Sequence, residues 1–216
     1  MKKYWGLISA NLLALAAGIY LATFGFNLPQ FHSLDPEKIE GLFWPDQKQL
    51  VNFELIDHNG NPYQLHSMST QWNLVFFGYT YCPDICPITM SLLREVNGLY
   101  QQQAPEEHGD LKFAFVSVDG ERDQSVQLKQ YIEFYDPSFI AASGNKDQVD
   151  SLASQLGVPY EIEEHVAGAK NYLVSHTGAL FLISKQGKLA AVIHPPHNAV
   201  EITKRLLKIR KLWDVS

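Results

Sequence analysis

Residues 74–87 read LVFFGYTYCPDICP, an apolar run followed by a turn that carries both cysteines of the chain, Cys82 and Cys86. The run predicts a buried strand and the pattern after Pro87 predicts a helix, so the cysteines lie on a strand-to-helix turn. The backbone N–H groups of a first helical turn have no partner within the helix, and they favour negative charge, including a thiolate. Because residues four apart share one face of a turn or helix, the two sulfurs can close a disulfide or hold one soft metal ion.

On either side of this turn, hydrophobic periodicity predicts an α/β fold. The predicted strands are residues 51–56, 63–65, 73–77, 112–118, 139–142, 180–184 and 189–193. The predicted helices are residues 87–103, 122–134, 146–156 and 199–213. This order predicts a thioredoxin-like central mixed sheet flanked by helices, with a parallel core and an antiparallel edge. The cysteine turn follows a core strand at its carboxyl end, where open α/β sheets place their sites.

Composition narrows the classes of function. The 216 residues carry a formal net charge of −6, and no basic patch with interleaved aromatic residues is present, which argues against nucleic acid as a partner. Two cysteines are too few for a disulfide framework but enough for one redox or metal site.

The N-terminal residues have the composition of a membrane segment. Residues 4–26 contain no charged side chain and are long enough to cross a bilayer core of about 30 Å. Lys2 and Lys3 precede them, so we predict a cytoplasmic N-terminus and translocation of the remaining chain. The alternative is a cleaved signal peptide, because Ala14-Leu15-Ala16 resembles a small-residue cleavage site.

Composition divides the chain into three predicted segments. We predict that residues 1–26 form an N-terminal transmembrane helix that serves as the anchor. Residues 27–48 contain three prolines and little periodicity, which is typical of a linker. Residues 49–216 form the predicted folded domain.

A third metal ligand is available in His176, which just precedes the predicted strand 180–184. In a thioredoxin-like sheet that strand neighbours the one that leads into the cysteine turn. Two thiolates and one imidazole suit copper, as Cu(I) or Cu(II), whereas a closed zinc site would need a fourth ligand. The alternatives are an ordinary half-buried histidine and two cysteines that are buried thiols or a structural disulfide.

Three segments of the chain resemble the SCO/SenC copper-binding proteins of cytochrome oxidase assembly. They are the cysteine stretch at residues 74–87, the sequence VSVDGERD at residues 116–123, and the sequence VSHT at residues 174–177. The resemblance extends over residues 51–212, the whole predicted folded domain.

The resemblance implies a copper metallochaperone on the periplasmic side of the inner membrane, with Cys82, Cys86 and His176 as copper ligands. Its partners would be the oxidase subunit that carries the binuclear copper (CuA) centre, a periplasmic copper donor and a thiol reductant. The alternative is a thiol–disulfide oxidoreductase that reduces the copper-ligand cysteines of the same client. A peroxidase-like activity is less favoured because no clear peroxide-activating arginine is present, and a tethered interaction domain with an inert disulfide remains as a further alternative.

Three positions depart from the family pattern: Tyr81 stands where histidine is frequent, Gly120 where proline is usual, and Ser175 where aspartate commonly precedes the ligand histidine. An acidic neighbour would hold the second N–H group of the imidazole or add negative charge near copper. We therefore expect Ser175→Asp to strengthen copper binding by up to about tenfold.

For several other polar residues, common structural roles such as helix capping or a place in a surface turn are considered beside a role in the metal site. We expect Asp123 to cap the helix predicted from Arg122. For Asp119 a capping role stays open beside the role that the resemblance implies, either docking of a partner or support of the copper ligands. The prolines between His194 and His197 splay the two imidazoles, which favours a surface turn over a second metal site.

Two further charged regions are predicted to face solvent. His165 follows two glutamates, a pattern typical of a solvated loop. The basic residues of the last predicted helix should form its exposed face, with anionic lipid or an acidic partner as an alternative role. They are Lys204, Arg205, Lys208, Arg210 and Lys211.

Overall fold

The computed structural model describes residues 39–43 and 47–214. The predicted anchor, residues 1–26, lies outside the described residues, as does most of the predicted linker. Among the helices of residues 39–43 and 47–214, none has the length and apolar character needed to cross a membrane.

The described part of the chain contains ten strands and five α-helices. The strands are β1 Lys48–Gln49, β2 Glu54–Asp57, β3 Pro62–Gln64, β4 Trp72–Gly78, β5 Leu111–Ser117, β6 Ile140–Ser143, β7 Tyr160–Ile162, β8 Val174–His176, β9 Leu180–Ile183 and β10 Lys188–Ile193. The helices are α1 Leu65–Met68, α2 Ile85–Gln103, α3 Ser125–Tyr135, α4 Lys146–Leu156 and α5 Ala199–Asp214, and a 3-10 helix spans Pro105–Asp110.

Eight of the described strands form one mixed sheet in the order β1-β10-β9-β4-β5-β6-β2-β3. The pairs β4–β5 and β5–β6 are parallel, and the remaining neighbours are antiparallel. This arrangement confirms the predicted thioredoxin-like sheet with a parallel core and an antiparallel edge, and in the structure both edges are antiparallel. The strand that follows the candidate histidine, β9, pairs directly with β4, as predicted.

Strand β4 is the centre of the domain, and all seven of its residues are buried. Successive side chains of a strand point to opposite faces, so β4 contributes to two hydrophobic clusters. Leu74 and Phe76 pack with residues of α2, α3 and α5, whereas Val75 and Phe77 pack with residues of α4. Helices therefore cover both faces of the central strand, which explains its uninterrupted apolar sequence.

The helix after the cysteine turn begins at Ile85, two residues before its predicted start, so Cys86 lies within the first turn of α2. Helix α4 has the predicted bounds because both of its ends carry local signals. Asn145 and Gln148 form a capping box, and Gly157 ends the helix with a positive φ of 69°.

Helix α3 begins at Ser125 rather than at Arg122, because the residues before it are held in the candidate site described below. The structure also contains a two-stranded ribbon, β7 and β8, that the sequence did not predict. Each of these strands has three residues, too few to produce a recognisable alternation. The ribbon places His176 opposite Tyr160.

Of the predicted linker, residues 39–43 and 47–48 are described, and residues 39–43 run along β10. Ile39 is buried and Leu42 forms a bridge with Ala191. Gly41 has a φ of 75°, and a Cβ atom there would lie 1.9 Å from the carbonyl oxygen of Val192, so only glycine allows this close approach.

Candidate metal centre

The two cysteines lie where β4 ends and α2 begins, at the carboxyl end of the central strand. Cys82 is half-buried and Cys86 is fully buried, and both are free thiols. The backbone N–H of Cys82 donates to the Tyr79 carbonyl at 3.2 Å, which closes the turn. The backbone N–H of Cys86 points to the sulfur of Cys82 at 3.5 Å. The helix start therefore brings the two sulfurs together, as their spacing predicted.

His176 reaches the same place from 90 residues further along the chain, and its Nε2 atom lies 3.2 Å from the Cys86 sulfur. The pairing of β9 with β4 puts the segment before β9 beside the end of β4. The ligand atoms of Cys82, Cys86 and His176 lie within 4.8 Å of one another. In residues 39–43 and 47–214 these three residues form the one group of at least three Cys, His, Asp or Glu side chains close enough to hold a metal ion.

The ring of His176 is held in the orientation that a metal ligand needs. Its Nδ1 atom lies 3.0 Å from the Thr177 carbonyl oxygen, which can only accept, so Nδ1 carries the proton. The lone pair of Nε2 then faces the sulfurs. Burial lowers the pKa of His176 below its usual value, which keeps the ring neutral and ready to coordinate at neutral pH.

The prediction that the helix start stabilises a thiolate is wrong for Cys86 when no metal is bound. Burial raises the pKa of its thiol far above the usual range, and this outweighs the hydrogen bond from the backbone of Tyr79. The bound metal ion itself would supply the positive charge that this sulfur lacks.

Asp123 supports the cysteine turn and does not cap a helix, so that prediction is wrong. Its buried carboxylate accepts hydrogen bonds from the backbone N–H and the hydroxyl of Thr80, at 2.8 and 2.5 Å, and from the hydroxyl of Ser117. The residue before α3 is Gln124, whose side chain makes no cap. Burial raises the pKa of Asp123, and the three donors oppose that shift.

Asp119 forms a buried ion pair with Arg122 and accepts a 2.7 Å hydrogen bond from the hydroxyl of Tyr172. Its carboxylate lies 3.5 Å from the backbone N–H of Arg122, before α3 begins, so it does not cap that helix. Sequence reasoning missed Arg122 and Tyr172, since no local pattern connects residues 50 positions apart.

The two histidines around the proline pair do not form a second metal site among the described residues. His194 is exposed, in line with a surface turn, and the Nε2–H group of His197 donates to the Gly178 carbonyl at 2.6 Å. His165 is not solvated as predicted. It stacks on the ring of Tyr172 with centroids 3.6 Å apart, and its Nε2 lies 2.9 Å from Glu121.

The prediction that the basic residues of the last helix form its exposed face is confirmed except for Arg210. Lys204, Lys208 and Lys211 are exposed and Arg205 is half-buried. Arg210 is buried and donates to the Tyr100 hydroxyl at 2.8 Å and to the Glu107 carbonyl at 2.9 Å, with Asp110 3.3 Å away. Its charge therefore belongs to an internal network.

Comparison with known proteins agrees with this fold and site. The SCO1/SenC family profile matches residues 45–211. A protein of Stutzerimonas stutzeri whose name proposes that it binds copper is 35% identical over 155 residues, which cover 72% of this chain and 74% of the relative.

Two solved structures show the same architecture. The copper-bound crystal structure of Arabidopsis thaliana ScoI has 26% identity and a TM-score of 0.68, and covers 75% of this chain and 98% of its own. The solution structure of apo Sco1 from Thermus thermophilus has 31% identity and a TM-score of 0.66, and covers 80% of this chain and 95% of its own. The fold and site define a thioredoxin-like protein with a Cys-Cys-His centre. The chain belongs to the SCO1/SenC family.

Proposed function

We propose that this chain binds one copper ion through Cys82, Cys86 and His176 and delivers it to the CuA centre of a cytochrome c oxidase subunit. The observation that carries the proposal is the convergence of two sulfurs and one imidazole nitrogen within 4.8 Å. The copper-bound relative of the same fold and the copper-related name of the Stutzerimonas protein support it. The oxidase as client follows from the resemblance to the SCO/SenC proteins.

The chemistry of the three groups fits copper. Soft thiolates combined with an imidazole favour Cu(I), and two thiolates with one histidine also suit Cu(II). Copper binding must displace the proton of the Cys86 thiol, because burial raises its pKa, whereas neutral His176 has no proton to lose at Nε2. Binding of copper therefore strengthens as the pH rises.

The unequal exposure of the two sulfurs gives copper transfer an order. Cys82 is half-buried and lies between the exposed residues Tyr81 and Pro83, whereas Cys86 has no exposed surface. An incoming thiolate of the client reaches copper from the Cys82 side and displaces that ligand first. Cys86 and His176 hold the ion until the client supplies further ligands.

The cellular setting is part of the same proposal. Residues 1–26 anchor the chain in the inner membrane, residues 27–48 link the anchor to the domain, and residues 49–216 lie on the periplasmic side. There the domain receives copper from a periplasmic donor, and a thiol reductant keeps Cys82 and Cys86 reduced.

A second candidate function is reduction of the client's copper-ligand cysteines. The observation that favours it is the pair of neighbouring free thiols, one half-buried and one buried. The Cys82 thiolate would attack a client disulfide and form a mixed disulfide, releasing one client thiolate. Cys86, after losing its proton, would displace the second, which leaves a Cys82–Cys86 disulfide for the thiol reductant to reopen.

His176→Ala separates the two functions, because copper delivery needs all three ligands whereas disulfide exchange needs only the sulfurs. The variant is expressed in a null strain, and the CuA content of the oxidase is measured at low and high copper. For delivery we expect failure at low copper and recovery at high copper. His66→Ala is the matched control and should behave as the unmodified protein, because His66 is exposed and lies in α1, before the amino end of β4 and so at the opposite end of that strand from the cysteines. Full CuA content in His176→Ala at low copper would instead establish the reductase.

A further inference from the structure

We propose that Arg122 is a positioning residue that couples the cysteine turn to the segment carrying His176. This inference rests on the proposed function, because the geometry that Arg122 would fix is that of the copper ligands. The guanidinium is buried, with only 5% of the side chain exposed, and touches both ligand-bearing segments.

On the side of the cysteine turn, the guanidinium carbon lies 5.0 Å from the ring centroid of Tyr81 and 5.5 Å from that of Tyr79. Both distances are within the range of cation–π attraction. Tyr81 directly precedes Cys82, and the ring of Tyr79 meets the ring of His176 edge to face at 5.8 Å. Arg122 thus packs against the residues that shape the turn.

On the side of the histidine, Nη1 of Arg122 donates to the carbonyl oxygens of Lys170 and Tyr172 at 2.9 and 3.0 Å. The guanidinium also stacks on the Tyr172 ring at 3.5 Å. Tyr172 precedes His176 by four residues and leads directly into β8. Because the planar guanidinium presents its donors in a fixed fork, these contacts fix direction as well as distance.

Asp119 makes this connection rigid. Its carboxylate pairs with Nε of Arg122 and accepts the hydroxyl of Tyr172, so three side chains form one closed set of contacts. The stacking of His165 on the other face of Tyr172 completes the packing of that ring. A buried ion pair gains little net stability over apolar packing, so its value here lies in holding two segments in one geometry.

The inference predicts that Arg122 acts on copper through His176. Without the guanidinium, the segment before β8 loses two hydrogen bonds and a stacking partner, and the His176 ring moves more freely relative to the Cys86 sulfur. Residues that orient a metal ligand typically change metal affinity by about 10- to 100-fold when removed. We expect a loss of about tenfold for Arg122→Met.

A double-mutant cycle tests this with the full-length protein. The copper affinity of Arg122→Met is measured by competition with a chelator, alone and combined with His176→Ala. We expect Arg122→Met to weaken copper binding about tenfold when His176 is present and less than about twofold when it is absent. An equal loss in both backgrounds would show that Arg122 does not act on copper through His176, and would overturn the inference.

Arg210→Met is the matched control. Arg210 is also a buried arginine with a tyrosine and two carboxylate partners, but it lies at the end of α5, against Tyr100 near the far end of α2. We expect it to lower the stability of the fold and to leave copper affinity unchanged. If the control weakens copper binding as much as Arg122→Met does, the assignment fails.

A copper-free measurement keeps this test separate from the proposed function. Hydrogen exchange at the backbone amides of residues 172–176 should be faster in Arg122→Met than in the unmodified protein, whereas exchange within β4 should not change. Arg122→Lys, which keeps the charge beside Asp119 but lacks the fork, is the variant to use if Arg122→Met does not fold, and should show the same local effect. Unchanged exchange would overturn the coupling, whereas absence of copper binding in the unmodified protein would remove the proposed function alone.

Discussion

Gly78 determines how closely the Cys86 sulfur can approach the central strand. A Cβ atom at this position would lie 2.6 Å from that sulfur and 2.9 Å from an edge carbon of Phe115. We therefore expect Gly78→Ala to lower the free energy of unfolding by about 2 kcal/mol, because overpacking a core forces its neighbours to shift. The sulfur is the neighbour most directly displaced, so copper affinity should fall as well. Denaturant unfolding and a copper titration measure the two effects.

Gly98, in the middle of α2, provides the matched control for Gly78. A Cβ atom there meets no atom within 4 Å, so Gly98→Ala should raise stability by up to about 1 kcal/mol through better helix propensity. Its copper affinity should equal that of the unmodified protein. If Gly78→Ala behaved like Gly98→Ala, the close approach at the sulfur would not constrain the site.

The three candidate ligands could be predicted from the sequence because thiol spacing and strand order are readable in it. Asp123 and Arg122 could not be, because their roles depend on partners far along the chain. An aspartate shortly before a helix fits a cap as well as it fits the acceptor of hydrogen bonds from Thr80, and only the folded chain distinguishes the two. The prediction that Arg210 is exposed is wrong for the same reason, because the sequence around an arginine on a helix does not show which distant residues it contacts.

At the scale of single elements, the geometry of strand β8 predicts that Ser175 has little influence on the site. Neighbouring side chains of a strand point to opposite faces, so Ser175 faces away from His176, and it is exposed opposite Glu161 of β7. The Thr177 carbonyl already holds the second nitrogen of the His176 ring. The structure therefore does not support the tenfold gain in copper affinity that the family pattern predicts for Ser175→Asp.

We now expect Ser175→Asp to change copper affinity by less than about twofold and to lower stability slightly, because it places a second carboxylate opposite Glu161. A competition titration and thermal unfolding measure the two quantities. Adding Glu161→Gln should restore stability without changing copper affinity. A gain in affinity near tenfold would mean that the aspartate reaches the imidazole after all.

The bounds of a helix can be predicted to the residue where capping residues mark its ends, but not where such residues are missing. Helix α4 has a capping box at Asn145 and a left-handed glycine at its end, and its predicted bounds are those observed. Helix α3 lacks a side-chain cap, and its predicted start was three residues early. The short ribbon β7–β8 is held by tertiary position rather than by any pattern of its own.

At the scale of the whole molecule, the site depends on topology. The cysteine turn and His176 are 90 residues apart in sequence and meet because β9 lies antiparallel to β4 at the centre of the sheet. The helical and strand periodicities predict this arrangement, since thioredoxin-like strand order follows from the order of elements. Sequence pattern does not predict how residues 39–43 pack along β10, because that contact rests on one glycine and two apolar side chains.

The orientation relative to the membrane is a property of the whole chain. Lys2 and Lys3 precede the uncharged residues 4–26, and such a charge bias keeps the N-terminus in the cytoplasm. A reporter that is active only in the periplasm should therefore work when fused after Ser216, and one that is active only in the cytoplasm should not. Replacing both lysines by glutamate removes the bias and should reduce the periplasmic signal.

The mass of the membrane-bound protein distinguishes an anchor from a cleaved signal peptide. An uncleaved chain retains residues 1–26 and stays in the membrane fraction after a high-salt wash, whereas cleavage after Ala16 would shorten the chain and release the domain. Delivery of copper to a CuA centre requires the copper site to face the same compartment as that centre. A cytoplasmic location of Ser216 would therefore contradict the anchor's orientation and, with it, oxidase assembly as the role of this copper site.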